Sequence, residues 1–291
     1  MGNGRDLPQQ IIDAALKYSS AAALVPAQPL EPELARLRAC IAAGLPPGLE
    51  YLARRPRERA DIRSWSAPAK TVLVMLFQYH NSALGQNTNT MPRARWEALK
   101  ARRGAKPLPP PPPGDPVTIA RYALSADYHA TVKKLLKQTL AEIRAFAPKT
   151  AGRVFVDTSP VFEKALAVRA GLGFAGRNTL VIRPGHGSYF FIGGIALHTA
   201  LEYAERPLPQ QACGDCRLCE TACPTGALRD GTINPARCLS YWTTAQTSAI
   251  PGDILALLNG RAQGCDLCQQ ACPYNKTVTA AVREEFLPLN P

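Results

Sequence analysis

The sequence predicts a mixed fold of helices and strands in two parts, of which the second is organised by cysteines. The first part, residues 1 to 206, alternates amphipathic helical segments with short apolar runs that are typical of buried strands. The second part contains eight of the nine cysteines, all between residues 213 and 272. With 291 residues and 46% hydrophobic content, the chain is long enough for about two domains that each bury a core.

The first elements predict helices over residues 1 to 60, interrupted by prolines, and a buried strand over residues 70 to 79. Residues 81 to 117 carry the run KPLPPPPPGDP. Because proline has no backbone N–H, we expect a surface insertion that adds no strand to a sheet. Residues 127 to 146 have apolar side chains at helical spacing and predict an amphipathic helix.

A strand predicted over residues 153 to 156 runs into Asp157. Ser159 is expected to cap a helix that begins at Pro160 and ends at Gly171. The end of a strand is where open α/β folds place catalytic acids, although the residues alone slightly favour a role for Asp157 in capping the following turn.

Two further strands are predicted over residues 179 to 183 and 188 to 197, and the cysteine-rich part follows from residue 207.

Gly171, Gly173 and Gly176 match G-x-G-x-x-G, but they follow a helix and precede a strand. Because a dinucleotide site needs the reverse order, we interpret them as positions of close backbone approach.

The cysteines have the spacing of iron-sulfur ligands. The first four read C-x2-C-x2-C-x3-C-P, and the last one is again followed by proline. In two-cluster ferredoxins one loop wraps three corners of a [4Fe-4S] cube, and the next cysteine binds the neighbouring cube. This crossing assigns one cluster to Cys213, Cys216, Cys219 and Cys272 and the other to Cys223, Cys238, Cys265 and Cys268. Structural zinc and a disulfide framework are the alternatives.

The remaining cysteine, Cys40, lies in the apolar stretch LRACIAAG and is expected to be an inert buried thiol. The histidines show no metal-ligand spacing and are expected to be packing or surface residues; they are His80, His129, His186 and His198. Glu163 follows Asp157 closely and is expected to complement a helix dipole.

The formal charge of +12 favours polyanionic partners such as nucleic acid, or an acidic electron donor. Basic residues form runs over residues 54 to 63, 93 to 106 and 133 to 137, and solvated helix faces would explain each run equally well.

Apolar runs are too short to span a bilayer, and the amino terminus lacks the layout of a signal peptide. We therefore expect a cytoplasmic protein without a membrane partner.

Seven segments carry a family resemblance: RADIR at 59 to 63, RYALSADYH at 121 to 129, VDTSPVFEKALAVRAGLGFAGRNTLVI at 156 to 182, GSYFFIG at 187 to 193, CGDCRLCETACPTGAL at 213 to 228, RCLSYWT at 237 to 243 and GCDLCQQACPYNK at 264 to 276. Together they resemble the epoxyqueuosine reductases, cobalamin-dependent iron-sulfur enzymes that complete the modified nucleoside queuosine in tRNA. The resemblance runs from about Tyr51 to Asn275.

The resemblance implies an α+β fold. Residues 1 to 206 would form a cobalamin-binding α/β sandwich domain, like that of reductive dehalogenases, with residues 81 to 117 as its proline-rich insertion. Residues 207 to 280 would form a ferredoxin-like domain with two [4Fe-4S] clusters. Residues 281 to 291 would be a short tail in place of the helical-repeat domain of typical relatives.

The resemblance also implies a mechanism. Electrons from a donor such as a flavodoxin or ferredoxin would pass through both clusters to give a cob(I)alamin-like state, which attacks or reduces the epoxide carbon. Asp157 matches the proton donor of the family. Burial against the corrin is expected to raise the pKa of this carboxyl so that it holds a proton at neutral pH.

Positions that match cobalamin contacts of the family are Arg59, Ala120, Asp157, Val181, Ile192 and Ser240, the last also at the tRNA surface. The familiar cobalamin motif D-x-H-x-x-G is absent, because Asp127 and His129 are not followed by the glycine. The cofactor prediction thus comes from the resemblance alone.

The function implied is reduction of the epoxide of epoxyqueuosine to queuosine in tRNA, by a monomer that binds the anticodon stem-loop. Two alternatives are a cobalamin-dependent iron-sulfur reductase of a small molecule and a ferredoxin-like electron carrier.

Overall fold

A computed structural model describes residues 6–85, 89–103, 114–204, 207, 213–245 and 249–289, without the side chains of residues 102 and 103. The strands are β1 (Ala21–Pro26), β2 (Thr71–Gln78), β3 (Thr90–Met91), β4 (Val117–Ile119), β5 (Gly152–Val156), β6 (Phe174–Ala175), β7 (Val181–Ile182), β8 (Phe190–Leu197), β9 (Leu228–Arg229), β10 (Thr232–Ile233) and β11 (Arg261–Gln263). The α-helices are α1 (Leu7–Leu16), α2 (Glu31–Ala42), α3 (Pro56–Ala60), α4 (Ile62–Trp65), α5 (Arg93–Arg103), α6 (Tyr128–Phe146), α7 (Glu163–Arg169), α8 (Leu218–Thr221), α9 (Leu239–Thr244), α10 (Gly252–Leu257) and α11 (Leu267–Gln270). Short 3-10 helices lie at Glu50–Ala53, Ser82–Leu84, Arg121–Ala123, Pro235–Arg237, Pro273–Asn275 and Glu284–Phe286.

A four-stranded antiparallel sheet in the order β1-β2-β8-β5 forms the centre of the amino-terminal part. Successive side chains of a strand point to opposite faces, so Val72 of β2 packs into one core and Leu73 into the other. Helices α2 and α7 cover the face that carries Val72, and helices α1 and α6 cover the face that carries Leu73. Because both faces are covered, all eight residues of β2 are buried, which explains its continuous apolar run.

The predicted amphipathic helix is confirmed as α6, and its buried stripe consists of Val132, Leu135, Leu136, Thr139, Leu140 and Ile143. Four predicted strands are confirmed as β2, β5, β7 and β8, with ends that differ by a few residues. Strand β1 is missing from the sequence prediction, which has helix there. Pairing of Ala21 through Pro26 with β2 outweighs the helix preference of alanine.

The helix expected to begin at Pro160 begins at Glu163, as α7. Phe162, just before it, donates its N–H to the carbonyl of Arg59 at 3.0 Å, which ties this loop to α3. Since Phe162 occupies the cap position of α7, the prediction that Ser159 caps the helix is wrong.

The segment from residue 81 to 117 is more than a surface insertion. Strand β3 pairs with β4, and β4 pairs in parallel with β11 of the cysteine-rich part. Trp96 and Leu99 of α5 are buried in a small core with Ala262. The expectation that this segment adds no strand is therefore wrong; the proline run at residues 106 to 113 lies outside the described residues.

Polar side chains join the two parts of the protein. Asn275 donates from Nδ2 to Ser188 Oγ at 2.9 Å, and its Oδ1 accepts the backbone N–H of Ser188 at 2.7 Å. The backbone N–H of Arg121 donates to Asp266 Oδ2 at 2.7 Å, and both side chains are almost completely buried. Buried polar groups that are satisfied across a boundary fix the register of its two sides.

The glycines of the G-x-G-x-x-G pattern lie where β6 and β7 pack closely. A Cβ on Gly173 would lie 2.6 Å from the carbonyl oxygen of Ile182, and one on Gly176 would lie 2.4 Å from Ile182 Cδ1. These distances are too short for any side chain, in line with the interpretation of close backbone approach. Among the described helices, none has the length and apolar character needed to cross a bilayer.

Candidate functional site

Asp157 lies directly after β5, with a left-handed backbone φ of 39°. Its backbone N–H donates to the Glu163 carboxylate at the start of α7, so Glu163 satisfies this turn and the Asp157 side chain is free for another partner. The Asp157 side chain is 52% exposed.

His129 bridges two carboxylates. Its Nε2 lies 2.8 Å from Asp157 Oδ2, and its Nδ1 lies 2.6 Å from Asp127 Oδ1. The fold produces this arrangement because α6 and β5 run antiparallel, so the first turn of α6 meets the end of β5. His129, predicted as a packing or surface residue without a metal-ligand role, is half-exposed and holds a carboxylate at each ring nitrogen. The D-x-H spacing of Asp127 and His129 at a helix start was the signal available in the sequence.

Both ring nitrogens of His129 face carboxylate oxygens, and only the imidazolium form has an N–H on each nitrogen. The hydrogen bond with Asp157 raises the pKa of His129, burial opposes it, and the bond with Asp127 adds to the rise. His129 therefore holds its proton up to a higher pH than a free histidine does.

Aromatic rings form a wall behind this pair. The Tyr128 ring stacks on His129 with centroids 4.0 Å apart and on Phe191 with centroids 4.2 Å apart and planes 3° from parallel. Burial, and then the nearby charge of Asp157, raise the pKa of Tyr128 well above its usual range. This phenol stays neutral and fixes the imidazole plane.

A cavity of about 820 Å³ lies beside the loop that follows Asp157, which contributes Val161 and Phe162 to its lining. Its lining is mostly apolar and includes Leu30, Leu37, Leu52, Val161, Phe162, Leu180 and Val181. Cys40 and the charged residues Glu33, Arg36, Glu163, Lys164 and Arg169 also line it. Burial, followed by the charge of Asp157, raises the pKa of Glu163 to about 8. Its carboxyl is thus largely protonated at neutral pH and lets an apolar ligand approach.

Arg59 adjoins this cavity through its bond to the Phe162 backbone. Its Nη2 donates to the carbonyl of Tyr51 at 3.2 Å, while its buried Nε has no hydrogen-bond partner among the described residues. An orphaned buried donor beside a large apolar cavity fits a large ligand with polar substituents, such as a corrin with its amide groups. Ile192 is half-buried and packs in the same core as Val181.

The other two positions predicted to contact cobalamin lie in the cysteine-rich region. Ala120 is buried and lines a second cavity, of about 170 Å³, with Gly264 and Cys265. Ser240 lies in the first turn of α9, two residues after Cys238. Of these predicted positions, Val181 lines the large cavity, Ile192 packs in the same core as Val181, and Arg59 is hydrogen-bonded to a residue of the cavity lining. Ala120 lines a different cavity.

The first predicted set of cysteines surrounds one cavity. Cys213, Cys216, Cys219 and Cys272 together line a space of about 250 Å³, with Arg177 and Asn178 on its wall. The backbone N–H of Arg177 lies 3.4 Å from Cys213 Sγ. Four sulfurs around one cavity, with N–H groups aimed at sulfur, are the donor set that a cubane cluster uses, so the residues fit this cofactor.

The second predicted set is also brought together. Burial raises the pKa of Cys265 to about 11, and the charge of Cys238 adds to this rise. Cys238 in turn interacts with Cys223, and Cys268 with both Cys265 and Cys238. Such thiols are costly to ionise unless a metal takes the proton's place. Among the described residues, no group of three or more His, Cys, Asp or Glu side chains could hold a single metal ion.

The remaining cysteine corrects a prediction. Cys40 is exposed on α2, not buried, because α2 turns its Leu34 and Leu37 face to the core.

Comparison with known proteins agrees with this arrangement. Residues 59–158 match the family model described as "Epoxyqueuosine reductase QueG, DUF1730", and residues 212–275 match that of the "4Fe-4S double cluster binding domain". The epoxyqueuosine reductase of Cyclobacterium marinum is 34% identical over 242 residues, which cover 82% of this chain and 69% of that protein. This chain belongs to the epoxyqueuosine reductase family. The epoxyqueuosine reductase of Escherichia coli is 37% identical over 174 residues, which cover 60% of this chain and 45% of that protein.

Solved structures agree with the predicted fold. Epoxyqueuosine reductase from Streptococcus thermophilus superimposes with a TM-score of 0.76 at 26% identity, covering 94% of this chain and 68% of that one. A catabolic reductive dehalogenase superimposes with a TM-score of 0.52 at 15% identity, which supports the shared fold alone. The α+β prediction is confirmed, and the double-cluster family model decides for two [4Fe-4S] clusters over zinc or disulfides.

Proposed function

We propose that this member of the epoxyqueuosine reductase family reduces epoxyqueuosine to queuosine in tRNA. The observation that carries the proposal is the His129 and Asp157 pair at the end of β5, which Glu163 connects to a large apolar cavity, in a chain that also has a double-cluster domain. Support also comes from a relative of the same fold, 24% identical with a TM-score of 0.76, whose structure is described as containing an epoxyqueuosine-modified tRNA stem loop.

Removal of the epoxide oxygen to leave an alkene consumes two electrons and two protons and releases water. Cobalamin, when bound and reduced through the two clusters, would supply the electrons at the epoxide carbon. The protein must then deliver protons to the departing oxygen. Positioned acids typically contribute 10²- to 10⁴-fold to the rate of such steps.

Asp157 is the proposed proton donor, and His129 is proposed to return a proton to it between turnovers. The 2.8 Å contact between His129 Nε2 and Asp157 Oδ2 is short enough for direct transfer. Asp127 holds the imidazole from behind, and Tyr128 stacks on its face. The exposed side of Asp157 leaves room for a substrate oxygen. A solved relative, similar in fold, is described with its catalytic aspartate loop swung out of the active site, so such a loop can move.

The residues that would contact the cofactors are also proposals, taken from the positions that match the family. Arg59, Val181 and Ile192 would hold the corrin beside Asp157, with Ala120 and Ser240 at the side of the cysteine-rich domain. One cluster would be held by Cys213, Cys216, Cys219 and Cys272, and the other by Cys223, Cys238, Cys265 and Cys268. We further propose the division into residues 1–206, 207–280 and 281–291, a monomeric state, a flavodoxin or ferredoxin as electron donor, and a cytoplasmic location.

Anaerobic turnover tests the function. Protein with reconstituted clusters and added cobalamin should convert an epoxyqueuosine-containing anticodon stem-loop to the queuosine form, as measured by mass spectrometry of digested RNA. Corrin absorption bands that stay with the protein on gel filtration, without any conversion, would contradict the proposal and favour a small-molecule substrate. Clusters without corrin binding would favour the electron carrier.

A further inference from the structure

A basic groove runs along the exposed edge of the central sheet and encloses about 770 Å³. We define it by Trp65, Lys133, Lys137, Arg144 and Arg153, which line it together with Thr158, Ser159 and Pro160. In the described part of the chain β5 is the last strand of the sheet and forms the floor of the groove. Helix α6 forms one wall, and Trp65 of α4 forms the other.

All charged residues that line the groove are cations. Lys133 and Lys137 are exposed, and neither forms an ion pair with a described residue. Arg144 Nε donates to the carbonyl of Thr150 at 3.0 Å, and the Arg153 guanidinium lies 3.8 Å from the centre of the Trp65 ring. The protein's own acids therefore do not neutralise the positive charge of the groove.

The groove leads to the candidate active site. Because α6 and β5 are antiparallel, Arg144 lies at the end far from the site, and Lys133 lies one helical turn from His129. Thr158, next to Asp157, lines the near end. From Lys133 to Arg144 the helix rises by about 16 Å, roughly the rise of four or five nucleotides along one strand.

We propose that the basic groove binds the phosphate backbone of the RNA strand that carries the modified nucleoside, and so directs this nucleoside to Asp157. The identity of the RNA rests on the proposed function. A row of unneutralised cations matches a row of phosphates, and the ring of Trp65 with the Arg153 guanidinium adds a planar surface that suits a base. A small-molecule substrate would gain nothing from cations spread over this length.

The chain provides a matched control on the same helix. Lys134 is adjacent to Lys133 and equally exposed, yet it does not line the groove and instead interacts electrostatically with Glu285. Removal of either lysine changes the net charge by the same amount. A difference in the loss of binding per lysine removed therefore reports the groove and not the total charge.

Fluorescence anisotropy with an unmodified anticodon stem-loop as the probe, at salt concentrations from 50 to 200 mM, tests the proposal on the full chain with its clusters. Each phosphate contact contributes about 0.7 to 0.9 to the slope of log K against log salt. The double variant Lys133→Ala with Lys137→Ala should bind several-fold more weakly and lose about 1.4 to 1.8 from this slope. Lys134→Ala should keep the wild-type slope.

Wild-type affinity and slope in the double variant, or an equal loss per lysine in Lys134→Ala, would overturn the proposal. So would wild-type binding that does not depend on salt, because RNA held through its phosphates must bind more weakly as salt rises. Turnover separates this proposal from the proposed function. If the wild-type protein binds RNA through the groove but leaves epoxyqueuosine unreduced, only the function fails. If the double variant reduces it with unchanged KM, only the groove proposal fails.

Discussion

His129 Nε2 and Asp157 Oδ2 lie 2.8 Å apart and connect the first turn of α6 to the end of β5. These residues are 28 positions apart in the sequence; His129 belongs to a helix that covers the central sheet, and Asp157 follows a strand of that sheet. One carboxylate oxygen of Asp157 contacts the imidazole of His129, and about half of the Asp157 side chain is exposed. Such a carboxyl group can receive a proton from the histidine and pass it to a substrate on its exposed side.

Asp157→Asn keeps the shape of the side chain and removes the acid. We expect turnover to fall by about 10²- to 10⁴-fold, while iron content and corrin binding stay at wild-type levels. Single-turnover conversion of the modified stem-loop measures the loss. Conversion at the wild-type rate would show that the proton comes from elsewhere.

Asp127→Asn should shift the pH dependence of the reaction. Turnover needs a proton on the His129 and Asp157 pair, so kcat/KM should fall as pH rises through the pKa of His129, which lies above 6.5 in the wild type. The carboxylate of Asp127 contributes to that rise. Its loss should move the alkaline limb of the profile to lower pH with little change at pH 6. An unmoved limb would show that another group sets it.

Glu163→Gln should change how stability depends on pH. The folded-state pKa of Glu163 is about 8, against 4.5 for the free residue, so the folded protein binds this proton more tightly than the unfolded chain does. Stability that this group contributes is complete below about pH 4.5 and is lost as pH rises toward 8. The Gln variant retains the acceptor for the Asp157 N–H, so its Tm should fall less than that of the wild type between pH 5 and 8. Parallel Tm curves would contradict the assignment.

Cys272→Ala tests the crossing of the two cysteine motifs. If Cys272 completes the cluster of Cys213, Cys216 and Cys219, iron should drop from about eight to about four atoms per chain. Cys40→Ala, on the exposed face of α2, is the control and should keep all the iron. Full iron in the Cys272 variant would reject the assigned ligand set.

Gly194→Ala tests the packing of the central sheet. A Cβ at this position would lie 2.4 Å from the carbonyl oxygen of Leu73 and 2.6 Å from Phe155 Cζ. We expect a loss of about 1 to 3 kcal/mol in the free energy of unfolding, as for other overpacked cores. Gly252→Ala, which meets no atom within 4 Å, should change it by less than about 0.5 kcal/mol. Thermal or denaturant unfolding compares the two, and equal effects would contradict this packing.

Local patterns in the sequence predict the elements that are regular. The apolar stripe of α6 and the continuous apolar run of β2 identify both elements, and cysteine spacing identifies the cluster domain. Strand β1 escapes prediction because its alanines favour a helix and only pairing with β2 decides otherwise. Trp96 escapes because its burial depends on contacts with the distant Ala262.

In the candidate site, too, local patterns are predictable and long-range contacts are not. Asp157 is recognisable from its place after a strand, whereas His129 becomes meaningful only when α6 folds back along β5. The same antiparallel packing places Lys133 and Arg153 in one groove. Periodicity in the sequence predicts which face of a helix or strand is buried. Which two elements lie side by side is known only from the tertiary structure.

The ratio of queuosine to its epoxide in tRNA from cells that lack this protein tests the central claim most directly. We predict that the epoxide accumulates, and that the wild-type gene restores queuosine while the Asp157→Asn variant does not. A ratio that stays the same when the protein is removed would contradict the claim that it reduces epoxyqueuosine.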